Sequence, residues 1–456
     1  MRQLDLYLLL KNRKRARQSR QVKVDRTLGG LVRAIVATLS LLMAGSLLFG
    51  AISFARFSRD LPSIEILPVL MDRENGELLQ PTRVVDRSGE ITLFTYQDEE
   101  SERKFLSIDP LAGEFISPQL VRSVTATFDP AFWTSPGYQL KEWRNPDPQT
   151  IAERVVSDLV LWDEKPSTAR AFRMRLLAGQ IVTTYSRTSI IEWYLNSAWF
   201  GRYAYGAESA AQLYLGKSAS GLTLAEAALL TAVLRSPALN PLDAPGIAFE
   251  TQKELLKEML SSGAINQQEY DLASKEVITL REVNEKRDTI AEGFIRQVEK
   301  QLEPRMGTHR LQRGGLVITT TLDADLQEQL VCTATTQLMR VQYSNLSGVA
   351  PEGFECQADL LLPTQSFSGV SGEGLAAAGL VMAPETGEVL AYLEPLTITG
   401  ERLNDSGYEP GSLLTPFVAF SAFSRGYSPA SLVWDIPSTT LQSTPDTTDF
   451  QGPVNL

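Results

Sequence analysis

A single histidine and two cysteines set the first limits on the chemistry of this chain. His309 sits in GTHRLQRGG and reads as an exposed loop residue. One imidazole cannot supply a histidine pair, so metal chemistry of that kind is excluded and no metal site is expected. Cys332 and Cys356 lack metal-motif spacing, and spacing alone leaves open whether they pair or remain two buried thiols. The groups left for chemistry are carboxylates, hydroxyls and guanidinium groups, among them Asp129, Glu153, Arg154, Arg170 and Ser412. Their worth depends on the elements that carry them.

Those elements begin with a charge asymmetry. The 456 residues carry a net charge of -11, yet residues 1–33 hold ten Lys or Arg against Asp5 and Asp25. The remainder is therefore near -19, which places the basic tail at an anionic surface. Ala34–Ala55 contains no charge over 22 residues, enough to cross a hydrocarbon core that needs ~20 helical residues. With the basic run before it, the positive-inside rule puts the N-terminus in the cytoplasm and everything after Arg56 outside. The basic lead is too long for a cleaved signal peptide. Beyond the span, Pro81–Tyr96 alternates apolar and polar residues around Ser-Gly, which predicts a β-hairpin. Pro118–Ala273 turns helical, with capping boxes at Ser189/Glu192 and Thr223/Glu226 and further helices over Glu250–Ser261 and Gln267–Glu276. A charged stretch, Lys275–Gln301, links to a short strand within Gly314–Asp323, and Gly374–Glu394 reads as two strands around Pro-Glu-Thr-Gly.

Tyr185–Lys217, YSRTSIIEWYLNSAWFGRYAYGAESAAQLYLGK, closely resembles the family 51 glycosyltransferases, as does the following LTLAEAALLTAVLRSPALNPLD. GGLVITTTLDADLQ and PETGEVLAYLE are similar to the opening of a penicillin-binding transpeptidase domain. From about Leu61 onward the chain thus resembles a class A penicillin-binding protein, motif after motif in that family's order. The resemblance implies a membrane-anchored multidomain chain: one N-terminal transmembrane helix, a mainly-α lysozyme-like glycosyltransferase domain, then the incomplete start of an α+β transpeptidase domain. The expected divisions are a tail at 1–33, a span at 34–55 and a β-rich approach at 56–105. The glycosyltransferase-like domain follows at 106–275, a linker at 276–313 and the transpeptidase-like part at 314–456.

The family polymerises lipid-linked disaccharide-pentapeptide at the outer membrane face. A sugar hydroxyl attacks an anomeric carbon while a diphosphate leaves, so a carboxylate must take a proton and cations must hold the leaving group. In the family's first motif the base is a glutamate, and Phe128 stands there, followed by Asp129 as a candidate substitute. A phenyl ring accepts no proton, and general-base catalysis is worth ~10²–10⁴-fold. In the second motif Ser157 replaces a lysine, and Glu153 with Arg154 replaces two glutamines, which reads as a solvated helix face. In the third, Arg170 remains, Ala171 replaces a lysine and Met174 replaces the second glutamate. The resemblance assigns substrate contacts to Arg170, Tyr185, Arg187, Asn196 and Glu208. In the transpeptidase part the nucleophile position is Ser412, but Thr415 occupies the place of its lysine base, and no lysine follows Lys300. The chain stops 44 residues beyond Ser412, so the later transpeptidase motifs are missing, and either a fragment of a longer chain or a truncated gene is expected.

These substitutions imply a catalytically silent relative in the bacterial cell membrane, single-pass, binding precursor, glycan strand or a cell-wall synthase partner and no nucleic acid. Two alternatives remain: a working transferase with a rearranged acid/base pair using Asp129 or Glu153, and a truncated gene product without function. No cofactor is expected, and a divalent cation only if the site is active.

Overall fold

The computed structural model describes residues 3–98, 101–139, 141, 144–282, 289–343, 356–357, 375–397, 414–435 and 452–455. The chain divides into two compact units, Met1–Val331 with Leu380–Leu393, and Cys332–Gly379 with Glu394–Leu456.

The first unit opens on α1 (Gln3–Phe57), which contains a 24-residue stretch, Arg33–Arg56, of mean hydropathy 2.2 and no buried residues. At ~1.5 Å per residue this stretch is long and apolar enough to cross a membrane. Its end meets the body where Phe54 lies edge-on to Phe172, 6.5 Å between ring centres. A short α2 (Ile66–Leu70) follows. The expected hairpin is β1 (Arg83–Val85) and β2 (Thr92–Thr95), antiparallel, with Asp86 Oδ1 accepting from Ser88 Oγ, Gly89 N and Ile91 N across the turn. Gly89, at φ 82, takes the left-handed conformation that the tight turn demands.

The helical body starts at α3 (Pro118–Phe128), where the Ser117 hydroxyl accepts from Gln119 N and Pro118 occupies the first turn. Next come α4 (Ile151–Val155), capped by Thr150, and one π turn over Val156–Val160. Two further helices are α5 (Thr168–Thr184), capped by Ser167, and α6 (Arg187–Ser197). The body continues through α7 (Ala207–Leu215), α8 (Leu224–Arg235), α9 (Pro245–Ser261) and α10 (Gln267–Ala273). One large core runs through α3 to α8, with Leu120, Val124, Ile151, Met174, Leu177, Ile190, Leu195 and Tyr214 among its buried members, while Leu255, Leu256 and Met259 of α9 and Ala273 of α10 pack on Ala225 and Ala228 in a separate cluster. Each Leu, Ile, Val or Met side chain among them contributes about 1.5–3 kcal/mol by leaving water.

The Thr223/Glu226 capping box is present. The Ser189/Glu192 box is not: the helix starts earlier, and Ser186 caps it by accepting from Ser189 N. Glu192 instead accepts from Ser107 Oγ at 2.6 Å and Ile108 N at 3.0 Å, tying the stretch before α3 to α6. Asn266 and Glu269 form a box that sequence reading overlooked.

Arg122 on α3 grips Glu269 on α10 through two bonds of 2.7 and 2.6 Å. The hydrogen bonds from Arg122 draw the Glu269 carboxyl from 4.5 down to about 2. A carboxyl depressed by folding stabilises the fold above its unfolded value and loses that contribution as acid protonates it. A shallow loss of stability is therefore expected as pH falls from 4.5 towards 2, measurable by denaturation at stepped pH and absent in Glu269→Gln. Solvent reaches about a third of both side chains, which keeps the effect small.

The stretch expected to be a linker is folded. It holds α11 (Glu292–Met306) and α12 (Thr308–Arg313), and Phe294 and Ile295 pack with Val84, Leu93, Tyr96 and Leu322 in a second core. His309 is exposed as expected but lies in α12 rather than a loop, its ring 4.2 Å from that of Trp199. The reason is local: Gly307, at φ 76, ends α11 and lets a second helix begin at once. Then β3 (Val317–Thr319) pairs parallel with β1, Arg83 opposite Val317, giving a sheet of order β2-β1-β3. A helix not foreseen, α13 (Ala324–Tyr343), comes next.

The expected pair of strands is β4 (Ala376–Met382) and β5 (Val389–Thr397), turning where Gly387 N donates to Ala383 O at 2.8 Å. In the second unit Cys332 and Cys356 form a disulfide, Cα atoms 5.8 Å apart, which settles the point that spacing left open. The unit also holds α14 (Thr415–Ser424), β6 (Leu432–Asp435) and β7 (Gly452–Asn455), the two strands antiparallel. Thr415 is exposed at the start of α14, whereas Ser412 lies outside the described residues.

Candidate active site

Phe128 is the last residue of α3, and two groups close on its ring. The Arg154 guanidinium lies 4.4 Å from the ring centre and the Tyr194 ring meets it edge-on at 6.5 Å. Such a cation over an aromatic face is worth ~0.5–2 kcal/mol. Phe128 and Arg154 thus pack against one another, and an aromatic–cation contact occupies the position where the resemblance requires a base.

Asp129, one residue on, is buried, and its Oδ2 accepts from Ile151 N at 3.4 Å. Burial raises its pKa, with Arg187 pulling the other way. Glu153 corrects the expectation of a solvated helix face. It is fully buried, pairs with Arg175 at 3.5 Å and accepts from Gln139 N at 3.1 Å and Gln149 N at 2.7 Å. The face is inside because Ile151, Ala152, Val155 and Val156 carry it into the core. Neither carboxylate opens to the surface.

Arg170 donates to Ser157 O and Oγ at 3.1 and 3.0 Å and to Leu161 O at 3.2 Å, so it closes the end of the π turn. Ala171 and Met174 on the same helix are fully buried, Met174 as a core residue. Of the other residues assigned to substrate, Arg187 donates to Ser135 O and lies 5.7 Å from the Phe132 ring centre. The Tyr185 hydroxyl donates to Ile64 O at 3.3 Å, with its ring against Trp193. Asn196 bonds both the N–H and the carbonyl of Leu106, and Glu208 accepts from Ala219 N, Ser218 Oγ and Gln212 Nε2. The fold therefore brings together Phe128, Arg154, Tyr194, Ser157 and Arg170, while Asn196 and Glu208 tie loops to helices.

One nearby carboxylate had been passed over. Asp158, on the π turn, is exposed on one side while protein atoms crowd its carboxyl. Its pKa is raised by that desolvation against the pull of Ser157, Arg154, Arg313 and Arg170. No local pattern marks it, because π turns have no strong sequence signature.

Residues 148–260 match the model of the family described as Transglycosylase. Penicillin-binding protein 1A of Aquifex aeolicus is 34% identical over 180 residues, 39% of this chain and 24% of that protein. The chain carries the transglycosylase domain of the class A penicillin-binding proteins. Penicillin-binding protein 2D of Bacillus subtilis is 25% identical to the chain over 337 residues, 70% of the chain and 44% of that relative. These matches span between about a quarter and under half of the relatives' length. Penicillin-binding protein 1A from Haemophilus influenzae is a solved structure of 18% identity, covering 83% of this chain and 58% of its own, at TM-score 0.34. The match to the transglycosylase domain takes in Glu153, Ser157, Arg170 and Met174, and begins after Phe128 and Asp129.

Proposed function

We propose that this transglycosylase homologue is catalytically silent and holds lipid-linked precursor, glycan strand or an active synthase at the outer face of a bacterial membrane. One observation carries the reading: the place of the base is filled by the Phe128 ring under the Arg154 guanidinium. Met174, in the place of the second carboxylate, is sealed in the core. A rearranged acid/base pair fares worse, because Glu153 is consumed by Arg175 and two backbone N–H groups and Asp129 is buried against Ile151 N. The test is polymerisation of lipid-linked precursor by the full chain in detergent, and no glycan chains are expected.

The basic tail and the apolar stretch of α1 favour a single-pass anchor with a cytoplasmic N-terminus. The Cys332–Cys356 disulfide favours the same side for the bulk, since disulfides persist in oxidising compartments. Protease added to intact spheroplasts should then remove the chain beyond Arg56. Full protection of that region would reverse the topology.

A further inference from the structure

In the second unit, α14 is turned inside out. Its sequence, TPFVAFSAFS, carries no charge, and none of its residues is buried. Phe417, Phe420, Ser421 and Ser424 recur at i, i+3, i+4 and i+7, so they share one face, and all four are exposed. Phe417 is 71% and Phe420 73% exposed, with Val418 beside them at 65%. The only residues of the helix that are partly covered are Ala419 and Ala422, on the opposite face. A helix settled within its own unit does the reverse, turning phenyl rings inward and leaving alanines to water. Ten residues are also too few to hold a helix alone, since isolated helices below ~12–15 residues are marginal in water. The phenylalanine face therefore lacks its cover.

We propose that this face joins a second copy of the chain, the two α14 helices packing antiparallel about a twofold axis. The sizes along the face are self-complementary in that direction alone. Its first half is large, Phe417 and Phe420, and its second half small, Ser421 and Ser424, so an antiparallel copy sets rings against serines. The Ser424 hydroxyl already donates to Ser421 O at 2.8 Å, so it enters an apolar seam without an orphaned donor. Area points the same way. Leu414, Phe417, Val418, Phe420 and Phe423 expose on the order of 600 Å² per copy, so a pair covers on the order of 1,200 Å², where stable interfaces begin. Charge selects the place. At a net charge of -11 copies of the chain repel one another, but Arg425 is the only charged residue between Glu409 and Asp435. A bilayer fits worse, because helices that lie in its interface carry several Lys or Arg on a polar side, and α14 carries none. The pairing does not rest on the silent reading above, since a catalytic protein would present the same face.

The experiment follows the full chain in nonionic detergent by sedimentation over a range of concentrations. A monomer–dimer equilibrium is expected, and Phe420→Glu should raise its dissociation constant about tenfold or more. Phe420→Arg should do the same, and mixing the two variants should restore the dimer, because opposite charges then meet across the axis. Both substitutions fall on a side chain 73% exposed, so the monomer keeps its fold, which circular dichroism of each variant checks. Rescue on mixing is a result that a misfolded variant cannot give. In Ser421→Cys the new thiol is the only free one, because Cys332 and Cys356 are bonded to each other. Mild oxidation should link two copies there, whereas Leu111→Cys, at a site 93% exposed, should stay unlinked. Monomers at every concentration overturn the proposal. So do dimers that Phe420→Glu leaves intact, since α1 or another surface would then hold them. A polarity-sensitive fluorophore on Ser421→Cys that reports apolar surroundings in discs holding a single chain would assign the face to lipid, and that also overturns it.

Discussion

Given lipid-linked precursor, the full chain is expected to make no glycan polymer, and Phe128→Glu with Met174→Glu is expected not to restore synthesis. The geometry gives the reason each half of the rescue should fail. A carboxylate at 128 would meet Arg154, now only 4.4 Å from the ring centre, and the ion pair would hold it far below the pKa a base requires. A carboxylate at 174 would enter a core site with no exposure, at a cost of several kcal/mol against a total stability of only about 5–15. Ser157 and Ala171 would still leave the departing diphosphate short of cations, and groups that act together do not add back singly. Gel analysis of radiolabelled precursor decides the matter. Robust polymerisation by the wild type would sink silence outright, and its abolition by Asp129→Asn would transfer the role of base to Asp129.

A second large effect is expected away from any chemistry. Glu153→Ala should cost about 3–5 kcal/mol of stability, because it strips a buried guanidinium of its counter-charge. The loss also leaves the N–H groups of Gln139 and Gln149 without their acceptor. Arg175 keeps its bonds to the carbonyls of Gln139, Asn145 and Ala171, so the fold weakens there rather than rearranging. Glu153→Gln, still able to accept both N–H bonds, should lose less than the alanine variant. Chemical denaturation of the three proteins in detergent measures this order, and a loss below about 1 kcal/mol for Glu153→Ala would show that the pair is dispensable.

What could be read from sequence divides along physical lines. The charge-free stretch, the Ser-Gly hairpin and the Thr223/Glu226 box are local patterns, and each has its counterpart in the structure. Ser186 and Ser189 lie within one turn of one another, so both offer a plausible cap and only the backbone chooses. Glu153 looked solvated because its partner, Arg175, is brought in by packing of α4 on α5, which no spacing announces. The second core was hidden for a different reason. Phe294 and Ile295 are a short apolar pair in a charged stretch, and their partners Val84 and Tyr96 lie some two hundred residues earlier. At the candidate site, the resemblance located Phe128 and Met174, but nothing local announced Asp158 and Arg313 as neighbours, because α12 reaches the π turn only through the tertiary fold.

The pairing of Arg83 with Val317 has a temporal side. The helical body is strung between β1 and β3, and Arg87 N donates to Leu322 O at the far end of the same seam. A ribosome must therefore deliver the chain through Leu322 before the seam can close. At roughly 5–20 residues per second, the hairpin waits on the order of ten to fifty seconds for its third strand. A two-stranded ribbon is marginal in water by itself. Until then Val84 and Leu93 lack Ile295 and Leu322 to cover them. The nascent protein thus passes through an interval with an open, apolar edge, and a piece ending at residue 260 would stay in that condition permanently.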